Sequence, residues 1–351
     1  MQRILFVASI LLAILSLFSG CKKADINTLV ALPAKIYAVQ GQEMAVFFDN
    51  IILSQETNAY DFHVVCDIGA VEQDRWVVIP AASDLGDHDF SITLSDNKNN
   101  ELCTVHSLLH VSSSKSKRTR PVYLLMIGDS LTQSGDCPKK ISEMFKQNND
   151  PPLYMLGSNK LENNVAHEGY GALTWESMAG AEQSPFVYDG KIQIKKYLDE
   201  YCDGNRPDII TIMLGLNDTF YVNHKMTAEL HDKIHLMLYN ADRFLKALRK
   251  ELPEADIGVC LTIPSSIKDE SFENIYGSEH TRLGWRKIQR RLLERQVQHF
   301  YNKENDHIYI VPTGLNLDVI NGYGSLAVHT NELGYDQIAQ SIYAWIKSRL
   351  K

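Results

Sequence analysis

The stretch that decides the fold is Val122-Tyr123-Leu124-Leu125-Met126-Ile127-Gly128-Asp129-Ser130-Leu131-Thr132. Its first six residues are a nearly unbroken apolar run, the pattern of a strand buried on both faces in a parallel sheet. Gly128-Asp129-Ser130 breaks the run at once. A polar loop follows, then Cys137-Pro138-Lys139-Lys140-Ile141-Ser142-Glu143-Met144-Phe145. Pro138 suits a first helical turn there, and Ile141, Met144 and Phe145 share one helical face. A serine between the carboxyl end of a buried strand and a helix stands where open α/β sheets place their sites.

Downstream of this stretch the chain alternates strands and helices. Further strand candidates are Leu153–Leu156, Ile209–Leu214, Ile257–Ile263 and Ile308–Val311. Between them lie amphipathic helices. One carries Leu230, Ile234, Met237, Ala241, Phe244, Leu245 and Leu248 as an apolar stripe. Another carries Leu333, Ile338, Ile342, Trp345, Ile346 and Leu350. Five buried strands with intervening helices predict a five-stranded parallel sheet covered on both faces, in one α/β domain over residues 121–351.

Upstream, residues 113–120 are polar, basic and without periodicity, which reads as a linker. Residues 22–112 read as all-β. Short runs recur at Ile36–Val39, Met44–Phe48, Phe62–Val65, Trp76–Ile79, Phe90–Leu94 and Leu102–Leu109, with turn residues between them. That spacing predicts a smaller β-sandwich domain. Asp84-Leu85-Gly86-Asp87-His88 resembles the D-x-G-x-Y corner of immunoglobulin-like domains, with His88 in the tyrosine's place.

Residues 1–21 read as a processing segment: Arg3 gives a positive start, Ile4 to Phe18 is apolar, and Phe18-Ser19-Gly20 precedes Cys21. This resembles a bacterial lipoprotein signal, which implies acylation of Cys21 and anchoring at a membrane surface of the cell envelope. No later run in the sequence is long enough to span a bilayer. A net charge of −8 gives no basic footprint, so nucleic acid is not an expected partner. Beyond Cys21 stand Cys66, Cys103, Cys137, Cys202 and Cys260, whose spacing suggests no zinc site. Export permits disulfides; Cys66 with Cys103 is the favoured pair, with free thiols as the equal alternative.

Four segments carry chemistry. They are Gly128-Asp129-Ser130-Leu131-Thr132, His167-Glu168-Gly169-Tyr170-Gly171-Ala172-Leu173-Thr174, Gly215-Leu216-Asn217-Asp218, and the stretch around His329 before the final helix. Together they resemble the SGNH (GDSL-type) hydrolase family, over Pro121 to Lys351 and in the family's chain order. The resemblance implies a flavodoxin-like α/β/α domain and an acyl-serine mechanism without metal or organic cofactor. Ser130 would be the nucleophile and His329 its base. Asn217 would donate its side-chain amide to the oxyanion, beside the Ser130 N–H.

Two places depart from the family pattern. The second block usually reads G-x-[SG]-G-x-[TS], its last glycine donating a backbone N–H. Aligned on Thr174, that glycine falls on Ala172, and with a one-residue shift on Gly171. The last block is usually D-x-x-H, but Leu326 holds the acid's place before His329, and Thr330 replaces a frequent proline. A backbone carbonyl near Leu326, or a distant carboxylate such as Asp318, would then orient the histidine.

Asp129 and Asp218 are expected to hold loops, as are His167 and Glu168. Tyr170, Trp175, Phe220, Tyr221, Tyr276 and Trp285 fall in or near active-end loops, where aromatic rings either stack on sugars or simply pack. The expectation is a lipid-anchored serine esterase acting on O-acyl, above all O-acetyl, groups of carbohydrates. A lipase or thioesterase with the same site, or a decayed carbohydrate-binding protein, are the alternatives.

Overall fold

The computed structural model describes residues 29–54 and 59–350. The expected lipoprotein segment, Cys21 included, lies outside the described residues. The β-rich part runs β1 (Lys35–Val39), β2 (Met44–Phe47), β3 (Tyr60–Val65), β4 (Ala70–Glu72), β5 (Arg75–Val78), β6 (Gly86–Asp96) and β7 (Glu101–Ser112). One sheet has the order β1-β7-β6-β3, the other β2-β5-β4. Val46, Trp76, Phe90, Ile92 and Leu109 belong to a core that both sheets supply.

Two features depart from the sequence pattern. β1 lies parallel to β7, and β4 is an additional short strand whose three residues are all exposed, so it shows no alternation. At the corner before β6, His88 Nε2 lies 2.9 Å from the Asp84 carbonyl. A corner tyrosine reaches back to upstream backbone in the same way.

The five cysteines are free thiols. The register explains why Cys66 and Cys103 do not meet. Cys103 pairs with Leu94, which pairs with Phe62. Cys66 lies four residues beyond Phe62, about 13 Å along the strand direction. A disulfide needs Cα atoms within about 7 Å.

The second part contains β8 (Val122–Gly128), β9 (Leu153–Leu156), β10 (Asn159–Lys160), β11 (Ala166–Gly169), a small ribbon of β12 (Val187–Tyr188) and β13 (Lys191–Ile192), then β14 (Ile209–Met213), β15 (Asp256–Cys260) and β16 (Ile308–Val311). β9 and β11 both run parallel to β8, one along Val122–Leu125 and the other at Ile127–Gly128. β14, β15 and β16 follow in parallel beyond β8. The spatial order is therefore that of a flavodoxin-like sheet, with its switch point between β8 and β14. The sheet has seven strands where five were expected: β11, on the same side of β8 as β9, and β10, a short antiparallel edge on β11, are the additions.

Alternate residues of β8 serve different cores, as the period of a strand requires. Leu125 and Ile127 pack with Ile234, Met237 and Phe244 of the Thr227–Glu251 helix. Leu124 and Met126 pack with Ile338, Ile342 and Trp345 of the Glu332–Arg349 helix. Leu333, expected in that second stripe, is exposed in the helix's first turn.

The two parts share buried surface. Tyr37 and Val39 of β1 lie in the same core as Tyr343 and Trp345. Asn50 donates to the carbonyls of Gly314 and Leu317 at 2.8 and 2.7 Å. The 113–120 stretch is tied down as well: Arg118 bonds Asp208 at 2.6 Å, and Ser116 donates to the Leu350 carbonyl at 3.1 Å. Among the described residues, no helix is long and apolar enough to cross a membrane.

Lys347 and Asp150 form a sequestered ion pair at 2.5 Å, their side chains 1% and 0% exposed. Lys347 also donates to the Ser114 carbonyl at 2.9 Å, and Tyr343 donates to the other Asp150 oxygen at 2.5 Å. Asp150→Ala would strand a buried ammonium, so it should cost about 3–5 kcal/mol of stability. Denaturant unfolding measures it; a loss below about 1 kcal/mol, the worth of an exposed pair, would contradict the burial.

Candidate active site

The site forms at the carboxyl ends of β8 and β14. β8 ends at Gly128, and Ser130 opens a short helix, Ser130–Gln133. The turn is tight: a Cβ on Gly128 would sit 2.0 Å from Thr132 Oγ1. Asp129 caps the helix, accepting from the Leu131 N–H at 3.0 Å. Ser130 is left half-buried, with its hydroxyl against His329 Nε2 at 2.8 Å.

His329 comes from the irregular segment between β16 and the last helix. That segment is pinned near the histidine: Ser266 donates to the Ala327 carbonyl at 2.9 Å, and Tyr323 donates to the Pro264 carbonyl. Two residues past His329, Asn331 caps the final helix by accepting from the Gly334 N–H at 3.1 Å. Burial pushes the His329 imidazole below its ordinary value, favouring the neutral form that accepts a proton.

The group expected to orient His329 is not where the sequence suggested. Asp318 spends its oxygens on the Ile320 and Asn321 N–H groups, both at 2.9 Å, and on the Asn321 amide at 2.8 Å. Among the described residues, no carbonyl or carboxylate accepts from Nδ1. Leu326 is 46% exposed and leaves the acid's place open to solvent. Bonds on both sides of His329 hold the main chain that carries it, and the ring's contact with Ser130 is its hydrogen bond among the described residues.

The second block folds into a turn, Leu173 N–H donating to the Tyr170 carbonyl at 3.2 Å. It sits directly on the Ser130 helix. Tyr170 N–H donates to the Gly128 carbonyl at 3.1 Å, and a Cβ on Gly169 would lie 2.4 Å from the Gln133 nitrogen. Ala172 takes φ +57°. That left-handed backbone, usual for glycine, costs an alanine about 1 kcal/mol. Gly171 and Ala172 are both exposed, and neither N–H meets an acceptor among the described residues. Either therefore remains open as an oxyanion donor.

Asn217 lies in the short Leu216–Thr219 helix after β14. Its Nδ2 is 3.3 Å from Asp129 Oδ2 and 3.2 Å from the Leu173 carbonyl. Two acceptors fix which end of the amide presents hydrogens. With the Ser130–His329 bond, these contacts join all four sequence blocks in one place.

Burial pushes Asp129 and Asp218 up to about 7, with Asp129 itself adding to the rise at Asp218. Asp218 accepts from the Trp175 N–H at 3.1 and 3.2 Å, tying the second block to the third. Glu168 is fully buried and accepts from Ser158, Tyr170 and Tyr197. His167 Nδ1 accepts from the Gly169 N–H at 3.0 Å. Of the aromatic candidates, Trp175, Phe220 and Trp285 are buried packing residues, whereas Tyr221 is 80% exposed. The role of Tyr197 as a Glu168 partner had no sequence signal, because that tyrosine reads as part of an apolar helix face.

A strand-serine-helix turn meeting a distant histidine within a flavodoxin-like sheet defines an α/β hydrolase of the acyl-transfer kind. The GDSL-like Lipase/Acylhydrolase family profile matches residues 124–342, and the chain belongs to that family, as an esterase. No curated protein matches the sequence. Among solved structures, the chain is similar to a carbohydrate esterase family 3 protein from Talaromyces cellulolyticus, at 18% identity and TM-score 0.40 over 65% of this chain and 98% of that one. It is also similar to Est24, a carbohydrate acetylesterase from Sinorhizobium meliloti, at 15% identity and TM-score 0.39 over 65% and 99%. The lipase Lip_vut3 from a goat rumen metagenome gives 14% identity and TM-score 0.42 over 66% and 100%. Values at this level carry no substrate across.

Two outcomes test the histidine. With its ordinary value at 6.5 and burial lowering it, His329 should lose its proton below pH 6.5. The acid limb of kcat/KM should therefore be centred below that pH, activity falling as the imidazole protonates. A limb centred higher, and kept in Asp129→Asn, would mean that an anion reaches Nδ1. Separately, Leu326→Asp should change kcat by less than about tenfold, since the dyad is already aligned. A gain of several orders of magnitude, the scale of a missing triad acid, would show that the resting geometry is unproductive.

Proposed function

We propose that this esterase is lipid-anchored in the bacterial cell envelope and removes O-acyl groups, acetyl above all, from carbohydrates. The observation that carries the mechanism is the 2.8 Å contact between His329 Nε2 and Ser130 Oγ. In this reading Ser130 Oγ attacks the ester carbonyl while its proton passes to Nε2. The resulting oxyanion takes hydrogen bonds from the Ser130 N–H and from Ala172 or Gly171, and Asn217 Nδ2 joins them by turning a hydrogen away from Asp129 or the Leu173 carbonyl, its two acceptors in the resting site. Collapse expels the sugar alkoxide, which takes the proton from His329 and leaves acetyl on Ser130. Water, deprotonated by His329, then attacks the acyl-serine, and acetate leaves as Oγ regains the proton.

The exposure of Gly171 and Ala172 supports an alcohol portion as bulky as a polysaccharide. Tyr221, four residues beyond Asn217, offers an open ring face for a sugar. Anchoring rests on the sequence around Cys21 alone. A second reading, lipase or thioesterase, is favoured by Leu326 and Ile267, exposed apolar residues on the two segments joined by the Ser266–Ala327 bond.

The test is a chain-length series of p-nitrophenyl esters with an acetylated polysaccharide alongside. Acetate esters should be preferred, and Ser130→Ala should abolish turnover while keeping the wild-type unfolding curve. Preference for acyl chains of about eight carbons would favour the lipid reading, since each buried CH₂ adds about 0.8 kcal/mol in an acyl groove. Turnover by Ser130→Ala would remove Ser130 as nucleophile.

A further inference from the structure

Where the Phe48–Ile51 turn meets the Arg282–Phe300 helix, a cavity is lined by Asp49, Ser265, Ser266, Arg282, Arg286 and Arg290. The three arginines are spaced by four, so one helix face carries all three guanidinium groups. Arg282 is paired at 2.7 Å with Asp269, whose side chain is largely exposed. Arg286 is paired with Asp49. Arg290 reaches the same Asp49 oxygen only at 3.4 Å. It is 4% exposed, and its Nη1 is buried with no hydrogen-bond partner among the described residues.

A buried guanidinium with an unmet donor is among the costlier arrangements in a protein interior, unless a counter-charge completes it. Among the described residues, the one lining carboxylate, Asp49, lies 3.4 Å from Arg290 Nη2 and leaves Nη1 unmet. We propose that this cavity binds a small oxyanion, a carboxylate or sulfate group, with Arg290 as its principal ligand and Arg286 and Arg282 beside it. Guanidinium donors suit such groups because their parallel N–H bonds match two oxygens at once. Burial first, and then the Arg286 charge, pull Arg290 down to about 10, the direction expected of a cation short of negative partners.

The place of the cavity gives the site a relation to catalysis. Ser266, on its wall, donates to the Ala327 carbonyl at 2.9 Å, two residues before His329. An anion held there is one loop away from the catalytic histidine. Two sources fit the chemistry: the acid group of an acidic sugar in the substrate, or a free inorganic anion. The site itself does not depend on the acyl specificity proposed above.

The experiment is thermal unfolding of the whole protein titrated with sodium glucuronate or sodium sulfate, ionic strength being held constant with sodium chloride. A saturable rise in Tm with either anion is expected. The apparent affinity should fall by about tenfold or more in Arg290→Gln, the scale of one lost charged hydrogen bond. Should Arg290→Gln fail to fold, Arg282→Gln, at the more exposed end of the row, should weaken the response while remaining folded. Tighter binding of glucuronate than sulfate assigns the site to an acidic sugar, and the reverse assigns it to a free inorganic anion. No saturable rise in the wild-type protein, or an equal rise in the folded arginine variants, overturns the proposal. Because the readout is binding, it stands or falls apart from any result with acetyl esters.

Discussion

The hydrogen bond between Ser130 and His329 joins residues 199 positions apart, and the rest of the architecture is arranged so that it can form. Ser130 is fixed by the abrupt end of β8 and the tight approach of Thr132 to Gly128. His329 is fixed by the segment leading into the last helix, which packs on the sheet face that carries Leu124 and Met126. The parallel order puts β8 and β14 side by side at the switch point. A crevice at that point is a geometric consequence of chain reversal, so Ser130 and Asn217 arrive together without special local devices.

The electrostatics of the site follow from the burial of particular groups beside an open rim. Burial raises Asp129 and Asp218 to about 7, and the same cause keeps His329 short of its ordinary basicity. A neutral imidazole is the form that accepts the Ser130 proton, while the imidazolium that results is disfavoured by the same burial. With Leu326 where an aspartate is usual, the His329 segment is held instead by the Ser266–Ala327 main-chain bond and the Asn331 side-chain cap. Asp129 contributes by accepting from both Leu131 and Asn217, which links the serine's turn to the asparagine's.

Much of this was legible in the sequence because it depends on short-range patterns. The apolar run Val122–Ile127, the break at Gly128 and the stripe from Leu230 to Leu248 each report a period or a stop that local sterics dictate. What was not legible depends on partners far away in the chain. β4 has three exposed residues and owes its strand state to pairing with β5. The separation of Cys66 from Cys103 is a matter of register, which a list of cysteines does not contain. The left-handed backbone at Ala172 contradicts its residue type and is imposed by the turn that the Ser130 helix packs against. The Arg282, Arg286 and Arg290 row reads as a solvated helix face until Asp49, more than 200 residues earlier, is found against it.

Tyr37 and Val39 share a core with the helix that ends at Arg349. A chain synthesised from its amino end presents β1 long before its packing partner exists. The β-rich part must therefore wait, with an apolar edge uncovered, until the last helix has emerged. Contacts of such sequence separation make assembly slow and leave intermediates open to aggregation. For this protein, the final twenty residues act as a timing element in biogenesis as well as a layer of the fold: a truncation there would leave a defect at the opposite end of the chain.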